Sequence, residues 1–174
     1  MGAVCRFLSN AVDRSLYSWN SVLHIACLLY TSLPELELYM DQVMALLNRY
    51  YSVIRGAEDD EAITKNMINN YVKMKAVPAP VRKKYSRKHL ACLLMVCVMK
   101  QVFSISLIKS AMPDPDDEEG IKEVYNAFVR NLKTAEDENF KRLKDGGFIR
   151  LSAEAVVMKI MAESTAANRP EKEE

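Results

Sequence analysis

Asn66, Asn69, Asn70 and Lys73 recur at i, i+3, i+4 and i+7, so a helix turning about 100° per residue brings three carboxamides and an ammonium to one face. The chemistry open to that set is recognition. A carboxamide donates and accepts at once, which lets Asn pair in bidentate fashion with the adenine edge in the major groove, while Lys reaches guanine or a phosphate. Met67, Ile68, Tyr71, Val72 and Met74 fall on the other side, so the segment is amphipathic and its polar face carries no negative charge.

The neighbouring residues fix the limits of such a helix. Thr64 is placed to cap its first turn, with Lys65 just inside. Pro78 and Pro80 stop it, because each removes a backbone donor and drives its predecessor into extended geometry. Arg82, Lys83, Lys84, Arg87 and Lys88 then crowd around Tyr85, where a β wing would lie beside phosphates. The charge pattern of the whole chain points the same way. Its net charge is only +1, yet residues 62–113 contain no Asp or Glu, while Lys65, Lys73, Lys75, Arg82, Lys83, Lys84, Arg87, Lys88, Lys100 and Lys109 all lie there. Such asymmetry marks an anionic partner, nucleic acid before membrane surface.

The order of elements resembles the MerR-type winged helix-turn-helix. The matching features are Tyr71 near the helix end, Val77-Pro78-Ala79-Pro80, the basic wing, Tyr85-Ser86-Arg87-Lys88-His89-Leu90, a long apolar helix, and Phe103-Ser104-Ile105-Ser106-Leu107-Ile108. In that family the recognition helix ends in a Leu-x-Pro turn, the wing leads to a Tyr-Ser cap, and a Phe-Ser-Leu-x-Glu-Ile motif opens the fourth helix. Three further runs resemble the bacterial family called domain of unknown function 1836. They are Leu38-Tyr39-Met40-Asp41-Gln42-Val43, Thr64-Lys65-Asn66-Met67-Ile68-Asn69-Asn70-Tyr71-Val72-Lys73 and Lys83-Lys84-Tyr85-Ser86. The likeness covers roughly residues 36–135 and implies a winged-helix fold and a regulatory role, with no reaction or ligand. One departure from MerR is the span between the two helices of the motif, residues 51–63, where that family has a few residues.

The expected architecture is therefore mainly α: a MerR-like winged helix-turn-helix with a minimal β wing and C-terminal helices. At 174 residues, 49% apolar and 27% charged, the chain can bury one good core. Tyr39, Val43, Leu46, Leu47, Tyr50 and Ile54 set out a first helix that Gly56 ends, and the acidic Glu58-Asp59-Asp60-Glu61 precedes Thr64. Ser86 caps an almost wholly apolar helix that belongs at the centre of the core. Its basic first turn opposes the helix dipole, a mismatch that a phosphate would relieve. Ser104 caps a short helix that Met112-Pro113 ends, completing a DNA-binding domain over residues 33–113.

Residues 114–165 form a C-terminal helical segment opened by the acidic Asp114, Asp116, Asp117, Glu118 and Glu119. Those carboxylates serve as charge at a helix N-terminus or fold back on the basic face as a phosphate mimic. Ile121, Val124, Tyr125, Phe128, Val129 and Leu132 form an amphipathic stripe that either packs on the domain or pairs with a second copy. The MerR likeness favours pairing, hence a homodimer. After Gly146-Gly147, a last helix starts at Ser152 and runs through Val156, Val157, Ile160 and Met161, and residues 166–174 form a disordered tail. Residues 1–32 do not share the family pattern. Cys27-Leu28-Leu29-Tyr30-Thr31-Ser32 coincides with one translation frame of the mosaic-end adapter used in transposase-based sequencing libraries, so this stretch reads as a foreign leader, against a natural helical extension as the alternative.

Other function classes have little to stand on. His24 and His89 are isolated, Cys5, Cys27, Cys92 and Cys97 lack metal-ligand spacing, and there is no Gly-rich phosphate loop or nucleophile motif. No enzyme, metal or cofactor is expected. The longest apolar run in the body, residues 90–99, is too short to span a bilayer, and neither a signal peptide nor a myristoylation signal is readable at the start. The expectation is a cytoplasmic regulator that binds double-stranded DNA, against a winged-helix protein-interaction adaptor without sequence-specific DNA binding.

Overall fold

The computed structural model describes residues 29–55, 63–142 and 148–167. The expectations for most of the leader, Gly56, the acidic run from Glu58 to Glu61, Gly146-Gly147 and residues 168–174 lie outside these. After a 3-10 turn at Tyr30–Ser32 the order is β1 (Leu38–Tyr39), α1 (Met40–Arg55), α2 (Lys65–Lys73), β2 (Lys84–Tyr85), α3 (Arg87–Met99), α4 (Ile105–Ala111), α5 (Glu118–Arg142) and α6 (Phe148–Ala167). The mainly α expectation holds, with a small two-stranded antiparallel sheet in which Leu38 faces Tyr85 and Tyr39 faces Lys84.

Helix α3 is the centre of the core. Its residues from His89 to Cys97 are all buried, as an apolar run without a polar face requires. The other elements lay stripes against this column: Val43 and Leu47 from α1, Ile68 and Tyr71 from α2, Ile108 from α4, and Ile121, Tyr125 and Val129 from α5. α3 and α5 make the most extensive helix pairing. One continuous core therefore reaches past Pro113 into α5. It also begins ahead of Leu33, since Tyr30 is buried, meets Tyr125 edge to face at 6.2 Å and donates its N–H to Asn126 Oδ1 at 2.9 Å.

Three details depart from the expected pattern. Tyr39 belongs to β1 rather than to the helical stripe of α1, and its side chain is exposed. The last helix begins at Phe148, ahead of Ser152. The acidic segment acts at a helix start: Asp117 Oδ1 accepts the Gly120 N–H at 2.9 Å, and Glu118 and Glu119 fill the first turn of α5.

Candidate nucleic-acid interface

Thr64 caps α2 as its sequence suggests, accepting the Met67 N–H on its hydroxyl at 3.3 Å. The angle between α1 and α2 has a separate origin. The side chain of Asn48 accepts the Ile63 N–H at 2.7 Å and donates to the Ile63 carbonyl at 3.2 Å, so the residue before the cap is held to α1 from both sides of its peptide. At its other end α2 closes in a Schellman turn. The Ala76 N–H reaches the Tyr71 carbonyl at 3.0 Å, the Lys75 N–H reaches Val72 at 2.9 Å, and Lys75 takes φ 57°. Glycine is the usual residue there, and a lysine in that conformation costs about 1 kcal/mol.

Between these ends, Ile68 and Tyr71 face the core, while Lys65, Asn66, Asn69, Asn70 and Lys73 are exposed. Among the described residues none bonds the carboxamides of the three asparagines, and all three side chains are exposed. Just beyond lies a second exposed cationic element. Val81 and Lys84 exchange backbone hydrogen bonds at 3.1 and 2.9 Å, and the two residues between them, Arg82 and Lys83, take φ 52° and 65°. Two positive φ values across a two-residue loop are the signature of a type I′ hairpin turn, a site that ordinarily favours Asn-Gly. Here it holds two long cations, both exposed and without a partner among the described residues. Every non-glycine residue with positive φ among those described is thus a lysine or arginine of this zone.

From Lys84 to Lys88 each basic residue also has a partner within the molecule, and Tyr85, expected beside the phosphates, is buried. Tyr85 is 2% exposed and packs edge to face on His89 at 5.7 Å, so its ring lies in the core and not out on the sheet's exposed face. Lys84 pairs with Glu37 at 3.3 Å and sits 5.9 Å from the Tyr39 ring. Arg87 donates to the Leu33 carbonyl at 3.0 Å, pairs with Glu35 at 2.9 Å and covers the Tyr30 ring at 5.7 Å. Lys88 donates to the Pro115 carbonyl at 3.3 Å. Glu35 and these carbonyls answer the basic first turn of α3 within the molecule.

His89 completes that turn as the third residue of a capping box. Its Nδ1 accepts the Ser86 N–H at 3.0 Å and lies 2.9 Å from Ser86 Oγ, while Nε2 donates to the Ala79 carbonyl at 3.0 Å. Burial holds the imidazole below the ordinary histidine pKa, in the neutral form that this arrangement needs. It ties the Pro-containing turn to the start of α3.

The expected dimerisation stripe divides as well. Ile121, Tyr125 and Val129 are buried against this chain's own core, while Val124, Phe128 and Leu132 are half-buried. The first three are therefore closed to a second copy. Cys92 and Cys97 are free and buried, and burial pushes both thiols up to about 12, consistent with inert core fillers. Among the described residues no group of His, Cys, Asp or Glu could hold a metal ion, and no helix is long and apolar enough to cross a membrane.

Sequence reasoning left two groups out of the site. Lys75, counted only among the cations of the acid-free block, stands exposed at the left-handed end of α2, a position that nothing short of the cap geometry could announce. Tyr39 and Val81 are 56% and 62% exposed on the wing, where the sequence had suggested Tyr85 as the aromatic group. An alternation spanning only the two residues of β1 is too short to read as a strand.

No curated protein and no solved structure matches the chain. A family model does match over residues 28–128, a span that takes in the 3-10 turn, both strands, helices α1 to α4 and the start of α5. The chain belongs to the family described as Domain of unknown function (DUF1836).

Proposed function

We propose that this protein is a sequence-specific DNA-binding regulator of winged helix-turn-helix type. α2 enters the major groove, and the hairpin around Arg82 and Lys83 lies on the adjoining backbone. The observation that carries this is the unpartnered face of α2. The side chains of Asn66, Asn69, Asn70 and Lys73 spend no hydrogen bond on the described residues, beside an acid-free zone whose exposed cations include Lys65, Lys75, Arg82 and Lys83. A merely solvated helix face would ordinarily mix Glu with Lys; this one offers paired donors and acceptors suited to base edges. The cations supply sequence-independent attraction. With five or six of them on phosphates, log affinity should fall against log salt with a slope of about −5.

Selection of bound duplexes from a random library tests this. Recovery of a defined site is expected, with Asn69→Ala losing about 1–3 kcal/mol on it and relaxing its sequence preference. Equal losses on selected and random duplex would rule out the assignment of α2.

Such regulators commonly read two half-sites as homodimers. With Ile121, Tyr125 and Val129 committed to the core, the surface available for pairing is α6, where Val156, Val157, Met158, Ile160 and Met161 are all more than half exposed. The same outward apolar set supports the alternative, an adaptor that docks another protein. Sedimentation of the purified chain separates the two: a dimer that Met158→Glu with Met161→Glu converts to monomer supports self-pairing, and a wild-type monomer favours the adaptor.

A further inference from the structure

We propose that the outer face of the wing sheet is an apolar contact for the sugar edge of a DNA duplex, with Tyr39 as its principal residue and Val81 beside it; this rests on the DNA-binding reading above. Cross-strand partners share a face of a sheet. Tyr39 and Val81 are each paired with Lys84, so all three side chains stand on one side, while Leu38 and Tyr85 turn to the core. The outward face of so small a sheet is normally polar. Here an aromatic ring and a valine, both more than half exposed, bracket a lysine.

The surroundings choose the occupant. Arg82 and Lys83 form the adjacent turn, and a surface alternating cations with apolar groups complements a backbone that alternates phosphates with deoxyribose. Lys84 adds to this, since its pair with Glu37 is solvent-exposed and readily exchanged for a phosphate. Stacking of an unpaired base is disfavoured by the same geometry. The Lys84 ammonium lies 5.9 Å from the Tyr39 ring centre, and no second exposed aromatic stands on the sheet to continue a stack. The backbone that carries the ring is also held in place. The Tyr39 N–H donates to Gln42 Oε1 at 2.9 Å, fixing the junction of β1 and α1 before any partner arrives.

The test uses the full chain on a duplex recovered by the selection above, with binding followed by anisotropy over a range of salt. Tyr39→Ala should bind about ten-fold more weakly with an unchanged salt slope, because no ion is released at an apolar contact. Tyr39→Phe should bind like the wild type, and Val81→Ser should show a smaller loss, again without a change of slope. Wild-type affinity in both Tyr39→Ala and Val81→Ser overturns the contact, and so does a loss accompanied by a shallower slope, which would assign Tyr39 to holding Lys84. Tighter binding of the single strand than of the duplex overturns the choice of partner. Failure of the wild type to bind any duplex overturns the DNA-binding reading along with it.

Discussion

Arg82 and Lys83 lie within a few residues of Arg87 and Lys88, yet the two pairs have opposite fates. The first pair is exposed on a strained turn, with no partner among the described residues; the second is tied to Leu33, Glu35 and Pro115 within the molecule. Linear charge density is the same in both places. What separates them is the presence of nearby acceptors, so a cation counts toward an interface only after its intramolecular partners have been subtracted.

The sharpest way to break this comparison is to remove each pair in turn. Arg82→Ala with Lys83→Ala should cut affinity for duplex DNA about 100-fold at low salt and lower the salt slope by about 2, while leaving thermal stability unchanged or slightly raised. Binding unchanged by the double substitution would place the backbone contact elsewhere. Arg87→Ala should do the reverse, costing about 2 kcal/mol of stability through the lost carbonyl bond and cation-ring contact, with little effect on the salt slope. Urea unfolding followed by circular dichroism reads that loss.

Lys83→Gly sharpens the contrast further, because the left-handed backbone then comes without steric penalty. A gain of about 0.5–1 kcal/mol in stability is expected together with weaker DNA binding, so that the two properties move in opposite directions. The smallest effect concerns pH and belongs to the committed side of the comparison. The folded state keeps His89 neutral, whereas the unfolded chain takes up a proton near 6.5. Its contribution is therefore complete above pH 6.5 and is lost as pH falls below that value towards the lowered folded pKa. His89→Gln should flatten this part of a stability profile measured between pH 7.5 and 5.

Much of the fold was legible because its signals are local. The Thr64, Ser86 and Ser104 caps, the Pro113 stop and the wholly apolar α3 each follow from residues a few positions apart. The candidate site was legible only in part. The periodicity of Asn66, Asn69 and Asn70 declares an exposed face, but the destinations of Tyr85, Lys84, Arg87 and Lys88 depend on Glu35, Glu37, Leu33 and Pro115, all distant in sequence. Similarly, the stripe through Ile121, Tyr125 and Val129 shows that something must cover it, and periodicity carries no record of whether that cover is α3 or another molecule.

The double hydrogen bond from Asn48 to Ile63 has a further effect. One side chain docks the start of α2 directly on α1, so the aim of the asparagines is set by residue 48. A change at position 48 itself would tilt them, so this half-buried side chain governs the aim of α2 from outside the asparagine face.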